Sequence, residues 1–146
     1  MLLTVHTIAG AAVGLAVHNP VLSAPIAFAT HILLDAVPHW NYPVPKEKSI
    51  QGFWQSFGPD MLATILVSVG LIVWFWTVWP LVVWGIAWAC LPDFLTLYQK
   101  AKPWSQWFKW YYKLHNQAQW EVARGPGLAI QAFFVAILVS ILRILK

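Results

Sequence analysis

The stretch from Met61 to Tyr98 constrains the fold more than any other part of the chain. It runs for 38 residues and contains a single charged side chain, that of Asp93. A transmembrane helix needs about 20 consecutive apolar residues, so this stretch is too long for one span and long enough for two. The turn signal Thr77-Val78-Trp79-Pro80 lies among tryptophans, which favour membrane interfaces, and it predicts the division between the two helices.

Three further apolar segments complete the predicted architecture. The first carries Gly10 and Gly14 as a Gly-x-x-x-Gly pair, which allows a neighbouring helix to approach closely. A polar loop is expected over 41–58, with Pro59 at the first position of the third helix, and Gly125-Pro126-Gly127 is expected to break the chain. We predict an all-α polytopic membrane protein in a single domain, 1–146. Its membrane helices are expected at about 2–17, 21–37, 60–78, 80–98 and 128–145, with an amphipathic interfacial helix at about 103–115.

The composition supports a membrane protein whose partner is the lipid bilayer. Apolar residues make up 60% of the chain and charged residues 10%, against about 45–50% and 25% in soluble domains. The net charge of +4 is carried by loops that flank apolar segments, which does not indicate nucleic-acid binding. Seven of the nine basic residues fall in the 41–58 and 99–124 loops. The positive-inside rule therefore predicts an inner-membrane protein with its N-terminus and both long loops in the cytoplasm.

The stretch Thr30–Trp40 carries the strongest indication of a functional site. His31, Asp35 and His39 recur every four residues, a spacing that places side chains on one face of a helix. Pro38 disfavours helical geometry at the residue before it, so we expect His39 to lie just past the helix end. Ionisable groups are expensive inside a membrane, which makes these side chains candidates for function.

The predicted topology brings further ionisable side chains to the same membrane face, namely His6, Asp60, Asp93 and His115. Unrelated structural residues would be spread over both faces, so this clustering favours a shared site. Structural alternatives stay open. His6 can serve in helix packing, Asp60 in capping, His39 can be an interfacial polar residue, and His115 can be incidental to a wet loop. A purely structural role is less favoured for Asp35 and Asp93, because a carboxylate does not suit the negative end of the helix dipole.

The chemistry that these groups can share is metal-assisted hydrolysis. A catalytic metal ion needs about three protein ligands and an open position for water. Mixed His and Asp ligation without cysteine fits zinc, and also manganese or iron. The candidate metal ligands are His6, His31, Asp35, His39, Asp60, Asp93 and His115, and the candidate catalytic proton acceptors are Asp35 and Asp93. The chain has no Gly-x-Ser-x-Gly elbow, His-Glu-x-x-His motif or phosphate loop.

Several motifs resemble those of the YdjM-like family of membrane-bound metal-dependent hydrolases, small integral membrane proteins of bacteria and archaea. They are His6-Thr7-Ile8-Ala9-Gly10, the stretch His31-Ile32-Leu33-Leu34-Asp35-Ala36-Val37-Pro38-His39-Trp40-Asn41-Tyr42-Pro43, Leu91-Pro92-Asp93-Phe94 and the later His115. The resemblance implies that the histidines and aspartates in these motifs hold metal. The last motif departs from the family pattern, because Gln119 stands where the family often has a second histidine.

The leading hypothesis is a metal-dependent hydrolase-like site at the cytoplasmic face, acting on a lipid or another amphiphile with a phosphate or an ester. The alternative is a small non-catalytic membrane scaffold or partner protein whose buried His and Asp side chains hold helices together. Hydrogen bonds between membrane helices average about 0.6 kcal/mol, which argues mildly against packing as their sole purpose. An ion or proton pathway is a third alternative, disfavoured because the candidate groups lie at one face.

Overall fold

The structure is a computed structural model that describes residues 1–43, 50–101 and 106–146. The described residues form an all-helical fold, which confirms the all-α part of the predicted fold class. The beginning of the predicted interfacial helix and the loop residues Lys46, Glu47 and Lys48 lie outside the described residues. The helices are α1 (Leu3–Val17), α2 (Pro20–Asp35), α3 (Ile50–Trp74), α4 (Trp79–Ala101), α5 (Gln106–Ala118) and α6 (Arg124–Ile144), and a 3-10 helix (Trp76–Val78) connects α3 to α4.

Three stretches are long and apolar enough to cross a membrane. Trp54–Trp74, Trp76–Thr96 and Arg124–Ile144 each contain 21 residues. At 1.5 Å per residue each stretch is about 31 Å long, which matches a hydrocarbon core about 30 Å thick. The helices α1 and α2 are apolar but contain 15 and 16 residues, which gives them about 22–24 Å. Membrane-crossing length is therefore seen in three of the five predicted segments.

Two helices begin earlier than their prolines predicted. The helix α3 begins at Ile50, so Pro59 lies inside it, and the expectation of a loop through residue 58 was wrong. The helix α6 begins at Arg124, so the glycines and proline at 125–127 form its first turn and do not break the chain. A proline in the first turn costs no intrahelical hydrogen bond, because the first four N–H groups of a helix have no acceptor within it. An internal proline removes one bond, which membrane helices tolerate.

The helix α1 lies at the centre of the bundle and contacts α2, α3, α4 and α6. Gly10 and Gly14 of α1 face Gly85 of α4 at very short range, and a Cβ added at Gly10 would lie 2.5 Å from the Gly85 carbonyl oxygen. This contact confirms the close approach predicted from the Gly-x-x-x-Gly pair. It fixes the middle and the C-terminal half of α1 against the region of α4 that precedes Asp93.

The segments that follow α2 and α5 are held side by side by backbone hydrogen bonds. The Trp120 N–H donates to the Asp35 carbonyl at 3.0 Å, and the His39 N–H donates to the Trp120 carbonyl at 3.0 Å. Gly127 of α6 packs on this pairing, since a Cβ there would lie 2.6 Å from the Trp40 Cβ. The end of α2 is therefore placed beside the end of α5, and His39 lies past the end of α2 as predicted.

Candidate metal centre

Four side chains meet where α2, α4 and α5 come together. His31 and Asp35 come from the last two turns of α2, Asp93 from α4 and His115 from α5. Each offers one ligand atom, and these atoms all lie within 4.8 Å of one another. The Asp35 Oδ2 atom is 3.1 Å from His31 Nε2 and 3.3 Å from His115 Nε2. One carboxylate oxygen of Asp35 therefore lies between two imidazole nitrogens.

Asp93 closes the group on its more open side. Its Oδ1 atom is 3.6 Å from His31 Nε2 and 3.7 Å from His115 Nε2. The Asp93 side chain is 30% exposed, whereas the side chains of His31 and Asp35 are fully buried. The centre thus has a buried inner side and one accessible ligand.

Both histidines have a potential hydrogen-bond acceptor at Nδ1, which leaves Nε2 free to face the centre with a lone pair. His31 Nδ1 lies 2.7 Å from the Ala89 carbonyl oxygen. A carbonyl oxygen only accepts, so His31 Nδ1 carries the proton and its Nε2 presents a lone pair when the ring is neutral. His115 Nδ1 lies 3.2 Å from the Thr96 hydroxyl, which can accept in the same way. A metal-binding histidine is usually oriented by the hydrogen bond that its other ring nitrogen makes.

The two Nε2 atoms are 3.0 Å apart and share the Asp35 oxygen as a neighbour. Two lone pairs and a carboxylate oxygen at such distances repel one another unless a proton or a metal cation lies between them. A divalent metal ion supplies that charge, and two imidazoles with two carboxylates are a suitable donor set for zinc, manganese or iron. The residues present therefore fit a metal ion.

His6 lies against the group of four and contacts the other oxygen of the same carboxylate. Its Nε2 atom is 3.2 Å from Asp35 Oδ1, which also pairs with the Met1 amino group. The His6 ring stacks on His31 with a centroid distance of 3.8 Å and an interplanar angle of 20°. His6 Nδ1 is buried without a hydrogen-bond partner among the described residues. His6 thus holds Asp35 and His31 in place from α1.

His39 reaches the centre through Gln119. The Gln119 Nε2 group donates to Asp35 Oδ2 at 2.5 Å, and Gln119 Oε1 lies 3.0 Å from His39 Nε2. His39 Nδ1 donates to the Val37 carbonyl at 2.7 Å. Burial lowers the pKa of His39, which favours its neutral form. The structure thus places His39 one residue away from the four ligand atoms, with Gln119 between.

Asp60 lies apart from the four-residue group and caps a different helix. Its carboxylate accepts from the Leu3 N–H at 2.7 Å, the Thr4 N–H at 3.2 Å and the Thr4 hydroxyl at 2.6 Å. The first residue before α1, Leu2, provides no side-chain cap of its own. Asp60 is inside α3 and therefore satisfies the free donors at the start of α1, not those of its own helix. Capping was an alternative that the sequence left open for Asp60.

A cavity of about 190 Å³ opens beside Asp93 and His115. Its lining is mainly apolar and aromatic, and it also contains amide and carboxylate side chains. The apolar and aromatic lining includes Leu2, Leu3, Tyr42, Phe57, Met61 and Phe94, and the polar lining includes Asn41, Asn116, Gln119 and Glu121. The accessible side of the metal centre therefore faces a space suited to an amphiphile.

Three supporting groups were missed by sequence reasoning. Thr96 orients His115, the Ala89 carbonyl orients His31, and Gln131 accepts the Leu2 N–H at 2.9 Å. Thr96 lies three residues after Asp93, on the same helical face, and that spacing could have indicated it. A backbone carbonyl such as that of Ala89 has no recognisable sequence pattern.

Among the described residues, the fold and the centre define a class: an all-helical protein with helices long and apolar enough to cross a membrane and a buried His/Asp group that could hold a metal ion. Comparisons of the chain with protein-family models, with curated proteins and with solved structures find no match.

Proposed function

We propose that this protein is a metal-dependent hydrolase of the cytoplasmic membrane that acts on a lipid or another amphiphile with a phosphoester or ester bond. The observation that carries the proposal is the convergence of His31 Nε2, His115 Nε2 and Asp35 Oδ2 within 3.3 Å of one another. The resemblance to the YdjM-like hydrolases supports it, since the motifs that carry that resemblance supply the four residues of the centre.

Different residues of the site would bind the metal ion and transfer the proton. His31, His115 and Asp35 hold the ion, for which zinc is the first candidate. The bound ion supplies activation of a water molecule near neutral pH. We assign the role of proton acceptor to Asp93, which lines the cavity. Asp35 is less suited to this role, because both of its oxygens already accept hydrogen bonds or pair with cations. Gln119 and His6 keep the Asp35 carboxylate in position.

The proposed topology has five membrane segments, with α1 and α2 as a short hairpin. His18, at the far end of α1, adopts a left-handed conformation with φ 51° that suits such a turn. The helices α1 and α2 are short for a full crossing, and local thinning of the bilayer can accommodate them. The centre then lies at the cytoplasmic face, beside α5 and its exposed Trp110.

Metal analysis of the purified full chain tests the proposal. We expect about one ion per chain in the native protein and its loss in the His31→Ala, Asp35→Ala double variant, since three or four ligands are needed. His18→Ala is the matched control, because that histidine is exposed at the opposite end of α1. An equal metal content in the double variant and the native protein would refute the proposal.

The same contacts favour a second candidate, a non-catalytic scaffold. The His31–Ala89 bond joins α2 to α4, and the Asp60 carboxylate joins α3 to α1. If helix association is their sole purpose, chelators leave the protein unchanged, and alanine at each of these positions lowers the thermal stability. Metal-dependent stabilisation of the native protein would exclude this candidate.

A further inference from the structure

We propose that the bond cleaved at this centre is the carboxylic ester that joins an acyl chain to the polar part of a lipid, with that chain lying in the cavity beside Asp93. The inference rests on the proposed hydrolase function and selects the ester over the phosphoester. The charge and the wall of the cavity each support it.

The charge at the cavity favours an uncharged scissile group. The carboxylates of Asp60, Asp93 and Glu121 line the cavity, and the Met1 amino group, which lines it too, is already paired with Asp35. Among the described residues, neither Lys nor Arg lines the cavity, although these are the side chains that usually bind phosphate.

The nearest helix N-terminus is already occupied by a carboxylate. Free N–H groups at the start of a helix are a ready site for phosphate. At the start of α1, however, the N–H groups of Leu3 and Thr4 donate to Asp60, and that of Leu2 donates to Gln131. A phosphoester at the start of α1 would therefore meet the Asp60 carboxylate in place of free N–H donors.

The cavity wall suits an acyl chain that arrives from the side. Leu3, Phe57 and Phe94 form part of the wall near Asp93. Phe94 is 51% exposed on the outer surface of α4, so the cavity wall is continuous with the lipid-facing surface of the span. An acyl chain can thus pass from the bilayer into the cavity while its ester group reaches Asp93.

The reaction consumes one water molecule and needs no other reactant. The water oxygen forms a bond to the acyl carbon, and the bond between that carbon and the alcohol oxygen breaks. Asp93 takes a proton from the water and delivers it to the departing alcohol oxygen. The products are a carboxylic acid and an alcohol.

A matched pair of probes tests the inference on the zinc-loaded full chain in detergent micelles. The probes are p-nitrophenyl octanoate and p-nitrophenyl octyl phosphate, which share the chain length and the leaving group. We expect the ester to be hydrolysed at least tenfold faster by the native protein than by the His31→Ala, Asp35→Ala variant. We expect no zinc-dependent release from the phosphodiester.

The outcomes separate this inference from the proposed function. Zinc-dependent cleavage of the phosphodiester without cleavage of the ester would overturn the inference and leave the hydrolase standing. Zinc binding at the centre without cleavage of either probe would overturn both.

A variant at the cavity rim tests the charge argument independently of which probe is cleaved. Glu121→Lys places a cation there, and Glu121 is not among the proposed metal ligands. We expect inhibition by octyl phosphate to strengthen at least tenfold relative to the native protein. Glu121→Gln, which retains an acceptor for Asn41, should give an intermediate effect. Unchanged inhibition in Glu121→Lys would contradict the argument.

Discussion

Replacing Asp60 with alanine separates the scaffold of this protein from its metal centre. The Asp60 carboxylate accepts three hydrogen bonds from two residues at the start of α1, Leu3 and Thr4. A hydrogen bond to a charged group contributes about 1.5–3 kcal/mol, and loss of a single helix cap costs about 0.5–2 kcal/mol. The three bonds share one carboxylate, so their loss is not additive. We expect Asp60→Ala to lower the free energy of unfolding by about 2–4 kcal/mol.

Thermal unfolding in detergent, followed together with metal content, measures this effect. For a chain of this size the expected destabilisation corresponds to a fall of roughly 5–15 °C in the midpoint. The metal content should stay at the native value, because Asp60 lies outside the group of four ligands. Ser68→Ala is the matched control on α3, since among the described residues that hydroxyl bonds only to the Thr64 carbonyl of its own helix; its effect should stay within about 0.5 kcal/mol.

The combination of results decides the role of Asp60. Asp60→Asn, which keeps one acceptor oxygen, should lose about half as much stability as the alanine variant. An Asp60→Ala variant with native stability and no bound metal would refute the capping role. Asp60 would then be a metal ligand, as the sequence suggested.

Three further predictions concern positions around the centre. Gln119→Leu should weaken zinc binding about 10–100-fold, measured by competition with a chromophoric chelator, because it removes a donor to a ligand carboxylate; an unchanged affinity would count against that role. Gly85→Ala should destabilise the chain by about 1–3 kcal/mol in thermal unfolding, because its Cβ would overlap the Gly10 carbonyl oxygen, whereas Gly70→Ala, with open space around it, should not. Burial lowers the pKa of His39, so the unfolded chain binds that proton more readily and stability should fall as the pH drops below about 6.5. His39→Asn should therefore flatten the fall in the unfolding midpoint of metal-free protein from about pH 7 to about pH 5, and parallel profiles would contradict it.

Much of the centre follows from spacing and topology. His31 and Asp35 are one helical turn apart, which places an imidazole against a carboxylate whatever the rest of the fold does. Asp93 and His115 come from distant parts of the chain, but counting membrane segments places them at the same face. Asp93 and His115 lie close together because the ends of their helices meet. The order of the apolar segments already predicts which helix ends share a face.

The supporting contacts depend on three-dimensional packing that the sequence does not reveal. Asp60 follows Pro59, and local rules assign such a carboxylate to the start of its own helix. In the structure α3 begins at Ile50, and the donors that need a cap belong to α1. Gln119 is a comparable case, since its contact with Asp35 requires the backbone pairing between the segments that follow α2 and α5.

Asp93 is the residue whose position best distinguishes a metal centre from a helix scaffold. Asp35 cannot distinguish them, because its carboxylate contacts α1, α2 and α5 and its loss harms both metal binding and packing. Asp93 is partly exposed and approaches His31 and His115 only at 3.6–3.7 Å, which is too long for strong hydrogen bonds. A carboxylate so placed contributes little to holding helices together, yet it is well placed to take a proton from a water molecule that an ion held by both histidines would bind. Its position is therefore better explained by a metal centre than by packing.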